Sequence, residues 1–238
     1  MSLLTIVQQA ALRVGLVMSS AAAASSTDQN ILQLVGFVNE DGQELGSRPG
    51  WQNLTRESTF ATVAAEDQGS ILTLAGADFS YVLNDTMWNR SQRRPVFGPK
   101  NQAQWQQLKA QFVQGPWQQY RIRGNRVLFI PAPAAGQSLY FEWITKNWCT
   151  DASGVTGRTA MTADTDVSLL DERLHVLGAI WRFKAAKKLA YAEDLDKYEN
   201  AVLDAIGRDA AKPRLTIDSS GMTDVSPVVI VPAGNWGL

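Results

Sequence analysis

Two residue types that build many sites are almost missing: 238 residues carry one cysteine, Cys149, and one histidine, His175. A lone cysteine excludes an internal disulfide framework and any multi-cysteine metal site. With one histidine, most zinc and haem ligand sets are excluded as well. Long apolar runs are missing too, since no stretch reaches the ~18 consecutive apolar residues that a membrane span needs. No basic region precedes an apolar run near the N-terminus, so a secretory signal is not expected and the expected setting is reducing. A charge excess is also lacking: 22 Lys and Arg stand against 23 Asp and Glu, a net charge of −1. That balance argues against a protein held to nucleic acid by bulk electrostatics. The glycines form neither a GxGxxG nor a GxxxxGK[ST] phosphate loop, and no G-x-S-x-G elbow occurs.

What is present is globular. Apolar residues make up 45% and charged residues 19% of the chain, which excludes disorder over most of its length. Leu3, Ile6, Val7, Ala10, Ala11 and Val14 follow the helical period, so residues 2–17 are predicted as a helix that Ser2 can cap. A second helix is predicted from Thr27-Asp28, both able N-caps, with Ile31, Leu34, Val35, Val38 and Leu45 on its apolar face. It ends between Gly46 and Gly50 around Pro49.

From Trp51 to about Trp148, short segments rich in Thr, Val, Phe, Tyr and Trp alternate with turn residues and are predicted as strands. Thr59–Val63 alternates with period two. Tyr120–Arg123 and Arg126–Ile130 flank Gly124-Asn125, a hairpin signal. Ser138–Ile144 is expected as the third strand of that meander. A short helix, Gln102–Gln111, carries Trp105, Leu108 and Phe112 on one side. After Asp164 the helical period returns. Asp166 is expected to cap a helix carrying Leu170, Leu174, Leu177, Ile180, Trp181 and Ala185, and a further helix runs roughly from Glu193 to Arg208. Lys212–Leu238 is too apolar for a solvated tail and too short for a core, which predicts an arm buried against a neighbour.

The predicted fold class is α+β: a helical bundle built from the N- and C-terminal helices, an inserted β-rich domain and an extended C-terminal arm. The corresponding boundaries are 1–50 and 151–211 for the bundle, 51–150 for the insertion and 212–238 for the arm.

The chemistry-bearing residues favour plain roles. His175 lies mid-helix without a nucleophile nearby in sequence and is expected to pack or to face an interface. Cys149 has only Lys146 as a nearby base and is expected to be a small buried hydrophobe. The carboxylate pairs Glu66-Asp67, Asp164 with Asp166, and Asp171-Glu172 are adjacent in sequence and do not supply two carboxyl groups across one cleft. Trp88, Trp105 and Trp117 interleave with basic groups, as stacking platforms for single strands do, but they fall at apolar positions and are expected in the core. Arg90, Arg93 and Arg94 lie in a polar loop flanked by Trp88 and Phe97, the composition of a protein–protein hot spot.

The order of segments resembles the portal-to-tail adaptor family of short-tailed bacteriophages, also described as head-to-tail connectors or tail accessory factors. The blocks that carry the resemblance begin with the amphipathic first helix, Asp28 followed by Ile31–Leu34, Asn39–Leu45 and Trp51–Leu54. They continue through Thr59–Val63, Asp78-Phe79, Trp88–Arg90, Arg94–Pro99 and Trp105. Tyr120–Asn125, Pro131–Gly136, Phe141–Ile144, Thr162–Asp166 and Leu177–Lys187 complete them, over about residues 1–210. The resemblance implies a structural virion protein without cofactor or active site. Copies would sit as a ring, usually of twelve, beneath the portal protein, in the neck of a particle assembled in the host cytoplasm. The ring would extend the channel through which double-stranded DNA passes and would dock the tail nozzle and the tail fibres or spikes. The resemblance implies no membrane partner.

Under this reading the candidate partner-interface residues are Arg90, Arg93, Arg94, Phe97, Trp181, Val228, Val229, Ile230 and Trp236. The helices carrying Leu174, Ile180 and Trp181 would pack between subunits. Two alternatives come from other classes: a virion-associated peptidoglycan hydrolase using carboxylates among Glu57, Glu66, Asp67 and Asp78, and a single-stranded nucleic-acid-binding module.

Overall fold

The computed structural model describes residues 2–18, 21–49, 51–111, 115 and 117–209. The stripe predicted in the first helix forms α1 (Leu3–Arg13), and Leu3, Ile6, Val7, Ala10 and Ala11 are its buried residues. The helix ends four residues earlier than periodicity alone suggests. Gly15, at φ 77°, adopts the left-handed conformation that terminates helices. Helix α2 (Gln29–Ser47) starts where expected, with the Asp28 carboxylate accepting the Asn30 N–H at 2.8 Å.

A 3-10 turn (Gln52–Leu54) leads into the β region: β1 (Thr55–Ala61), β2 (Asp67–Ser70), α3 (Ile71–Leu74), β3 (Phe79–Val82), β4 (Trp88–Asn89), β5 (Arg94–Pro95), α4 (Gln102–Ala110), β6 (Gln119–Arg123), β7 (Arg126–Ile130) and β8 (Ser138–Thr145). Three two-residue strands follow, β9 (Cys149–Thr150), β10 (Gly157–Arg158) and β11 (Val167–Ser168), then α5 (Glu172–Ala186) and α6 (Ala192–Asp209).

The β6–β7 hairpin is the one predicted, with Gly124 and Asn125 both at positive φ in its two-residue turn. Strand β8 is not the third strand of that meander. The other edge of β7 is taken by β2, with Asp67 opposite Leu128, and β8 pairs with β1, β3 and β4 in a separate sheet. Alternation explains the choice. Leu139, Phe141 and Trp143 project from one face of β8 into a cluster with Val127 and Phe129 of β7, so the two strands meet face to face rather than edge to edge. The intervening β7 residues, Leu128 and Ile130, pack under Trp105 of α4. Both faces of β7 are therefore covered, which accounts for its unbroken apolar run.

The predicted fold class is corrected by this arrangement. Among the described residues the chain is a mixed α/β structure of six helices and three antiparallel sheets. Helices α1, α2, α5 and α6 pack on one another around one core, but they share it with strands. A sheet ordered β10-β9-β11 stands among them, and Trp148, Cys149, Met161 and Leu170 fill the same core as α1, α2, α5 and α6. The segment 161–168 also ties down α1, with the Leu3 N–H donating to the Asp166 carbonyl at 2.9 Å and the Leu4 N–H to that of Asp164 at 3.2 Å. Asp166 is not the helix cap. The α5 N-cap is Asp171, which accepts the Arg173 N–H at 2.9 Å. Asp166 lies buried five residues earlier, accepting the N–H groups of Thr162 at 2.7 Å and Ala163 at 2.9 Å and facing Arg158 at 3.0 Å. The predicted arm, 212–238, falls outside the described residues.

Candidate functional site

The arginine loop is the turn of the β4–β5 hairpin, which pairs Trp88 with Pro95 and Asn89 with Arg94. Buried Asn89 fixes it: its amide donates to Gln137 at 2.8 Å and Gln118 at 3.3 Å, and its carbonyl accepts the Gln92 N–H at 3.0 Å. Arg93 takes positive φ at the turn. Arg90 lies 3.5 Å above the centre of the Tyr140 ring and pairs with Glu57 at 2.7 Å. Arg94 stands 5.6 Å from the Trp117 ring centre, and Trp117 meets Phe97 edge-on at 6.0 Å. Phe97 and Trp117 are 41% and 45% exposed, high values for large aromatics. Among the described residues, neither Arg93 nor Arg94 has a carboxylate partner.

The structure therefore brings Arg94 and Phe97 together and places Arg90 and Arg93 on the same hairpin. It adds Trp117, which the sequence reading assigned to the core. The signal was available, because Trp117 follows Gly115-Pro116 outside any alternating run. Trp181 belongs elsewhere. It is half-buried in the helical part, 6.1 Å from the Tyr198 ring with the Arg182 guanidinium 4.5 Å over it. Leu174 and Ile180, expected to pack between subunits, are buried in the chain's own core. Val228, Val229, Ile230 and Trp236 lie outside the described residues.

A second constellation was not foreseen. The Asp41 carboxylate lies 2.9 Å from His175 Nδ1, and His175 Nε2 lies 2.7 Å from Ser168 Oγ. The other Asp41 oxygen accepts Arg182 at 2.6 Å, and Arg182 also bonds Glu44. Ser168 Oγ accepts the Leu170 N–H at 3.0 Å. A proton on His175 Nδ1 lets the ring donate to Asp41 and accept the Ser168 hydroxyl, so these three side chains are partnered, while Arg182 Nε is buried without a hydrogen-bond partner. Burial works against the Arg182 charge, but Asp41, Tyr198 and Glu44 hold its pKa above the ordinary value. Burial, and then the Asp41 charge, push the Tyr198 hydroxyl well above its ordinary range.

The order Ser–His–Asp is that of a nucleophilic triad, but a nucleophile must be open to substrate. Ser168 is 8% exposed and His175 and Asp41 are fully buried. The set joins α2, β11 and α5 inside the core and acts as a polar staple. Trp148 packs on it, 5.2 Å from the His175 ring, and donates its indole N–H to the Thr159 carbonyl at 2.7 Å. The sequence did carry a sign of this network. Asp41 interrupts the α2 stripe three residues after Val38 and four before Leu45, where an apolar residue is due.

The carboxylates considered for hydrolysis are engaged one by one. Glu57 pairs with Arg90, Glu66 with Lys109 at 3.0 Å, and Asp67 with Arg126 at 2.5 Å. Asp78 accepts the Thr145 hydroxyl at 2.6 Å and the Asn147 amide at 3.4 Å. The Arg126 contact and then the Gly69 N–H hold Asp67 below the usual carboxylate range. Of the tryptophans considered for base stacking, Trp105 is fully buried and Trp88 half-buried. Cys149 is fully buried, donates to the Arg158 carbonyl, and has its thiol pKa pushed up to about 12 by burial. Among the described residues, no group of three or more His, Cys, Asp or Glu side chains is placed to hold a metal ion, and no helix is long and apolar enough to cross a membrane.

No protein-family model matches the chain, and no curated protein matches it.

Proposed function

We propose that the protein is a structural connector of the bacteriophage virion: an adaptor ring that docks on the portal, extends the DNA channel and presents surfaces to the tail nozzle and to fibres or spikes. The observation that carries this reading is the exposed Phe97–Trp117 pair with Arg94 beside it. Aromatic and arginine side chains dominate binding energy at protein interfaces. Here the hairpin that carries Arg94 is anchored by the buried Asn89 hydrogen bonds, and Phe97 is held beside the Trp117 segment by its N–H donating to the Gln118 carbonyl at 3.0 Å, so little ordering is left to the binding step. The segment order that resembles the adaptor family gives the partner its identity. A net charge of −1 suits a subunit lining a conduit that DNA must traverse without being retained. The arm from Pro213 to Leu238 would reach the portal or an adjacent copy, which a subunit made for ring assembly requires.

Native mass of the chain alone, and after mixing with the portal ring from the same genome, tests the proposal. A chain that joins the portal in a fixed multiple is the expected result. No association at any salt concentration overturns it. Removing residues 213–238 is expected to abolish portal binding while leaving the helical circular dichroism signal unchanged, and retained binding overturns the role of the arm.

A further inference from the structure

On the opposite kind of surface from the aromatic hairpin, the helical part holds a groove of about 460 Å³ between the end of α1, the start of α5 and one face of α6. Four cations line it: Arg13, Arg173, Lys197 and Arg208. Two carboxylates accompany them, Asp171 and Asp204, so the groove is locally positive in a chain whose overall charge is −1. Asp171 is occupied by capping the Arg173 N–H. Among the described residues, Arg208 donates to the Asp204 backbone carbonyl at 3.3 Å and pairs with no carboxylate, and Lys197 pairs with exposed Glu193 at 2.7 Å. Among the described residues, Arg13 and Arg173 have no carboxylate partner at all.

Like charges brought together from three helices repel one another, and three of the four, Arg13, Arg173 and Arg208, have no carboxylate partner among the described residues. Three guanidinium forks and one ammonium around one concavity call for a compact group with several anionic oxygens, the geometry of phosphate. We propose that this groove is a binding site for phosphate groups, presented either by a nucleic-acid backbone or by a free polyphosphate. The site is independent of the aromatic hairpin and does not rest on the adaptor reading.

The test uses the full chain and two probes: a fluorescent 20-base-pair duplex followed by anisotropy, and inorganic tripolyphosphate as competitor. Two double variants are compared, Arg13→Ala with Arg173→Ala in the groove, and Arg123→Ala with Lys146→Ala in the β region. Each pair removes the same charge from exposed positions. Binding that weakens with salt is expected for the unaltered chain. The groove variant is expected to lose at least about tenfold in affinity, and its log–log salt slope to fall by about two, near 0.9 per phosphate contact removed. The β-region variant is expected to stay within about twofold.

Displacement of the duplex by tripolyphosphate at matched phosphate concentration assigns the site to free polyphosphate. Resistance to displacement assigns it to the backbone, and either supports the site. Equal loss in both variants, or no binding of either probe, overturns it. Portal association is not read in this assay, so either proposal can fail while the other stands.

Discussion

The helical part and the two-sheet part of this molecule bury polar groups in different ways. The helical core encloses ions or ionisable groups: Asp41, Asp166, His175 and Arg182 are all at most 4% exposed. The buried polar residues of the sheet region are neutral, namely Thr62, Gln68, Asn89, Gln118 and Thr145. A buried ion left without its counter-ion costs several kcal/mol, whereas an orphaned amide or hydroxyl costs about 1–3 kcal/mol. The helical core is thus held in register by contacts that fail abruptly and respond to pH. The sheet region is held by apolar packing with neutral pins, and its ion pairs, such as Arg90–Glu57 and Arg126–Asp67, remain at the surface.

The sharpest way to break that comparison is to remove the central ion. Asp41→Ala leaves Arg182 buried and His175 without its acceptor, and a loss of about 3–5 kcal/mol is expected in urea denaturation. The matched change in the sheet region, Asn89→Ala, is expected to cost about 1–3 kcal/mol. Equal losses at the two positions would remove the distinction. Gly178→Ala probes the same network by shape. An added Cβ at Gly178 meets the Asp41 carboxylate directly, so a loss of about 1–3 kcal/mol is expected although the substitution favours helix. A measured gain in stability would show that α2 and α5 can separate freely.

The difference in chemistry also predicts a difference in acid. Burial opposes the Asp166 charge, but the N–H groups of Ala163 and Thr162 and the Arg158 guanidinium hold its pKa below the usual 3.8. A carboxylate whose pKa is lower folded than unfolded binds protons less well in the native state. Its contribution is therefore complete above the unfolded value and is lost as pH falls below about 4. Asp166→Asn is expected to lower stability at neutral pH and to flatten the fall of stability between about pH 4 and the folded pKa. An unchanged acid profile would assign acid sensitivity to other carboxylates.

Much of this organisation was legible in the residues, and the reasons for the failures are physical. The stripe from Leu3 to Ala11, the Asp28 cap and the Gly124-Asn125 turn are local signals, written within a few residues of one another, and the structure uses each of them. The partner of β8 is not local. Its alternation says that one face is buried, but not whether β7 lies beside it or across from it. Asp166 and Asp171 are both sound cap residues by type, and the choice between them depended on Arg158 and the 162–163 backbone, which only folding brings near. Asp41 was visible as a polar break in an apolar stripe, while its partners His175 and Arg182 lie 134 and 141 residues away along the chain. At the candidate interface, Arg94 and Phe97 were legible because a polar loop with flanking aromatics is a compositional signal. Trp117 was missed because a tryptophan's type favours burial, which was weighed above its place after Gly115-Pro116, outside any alternating run.

The smallest effect on the fold belongs to that interface, and it gives the comparison its functional edge. Arg94 and Trp117 are exposed, and their contact is a cation–ring pair of about 0.5–1 kcal/mol at such a site. Arg94→Ala and Trp117→Ala should therefore leave urea stability within about 0.5 kcal/mol of the unaltered chain, the range of ordinary surface substitutions. If the hairpin binds a partner, the same changes should weaken association with the portal or tail proteins by at least about tenfold, or 1.4 kcal/mol. The two readouts must separate. Loss of binding at constant stability is what a surface shaped for another protein produces. A parallel fall in both would make Trp117 part of the sheet's own packing, and unchanged binding would move the docking surface away from this hairpin.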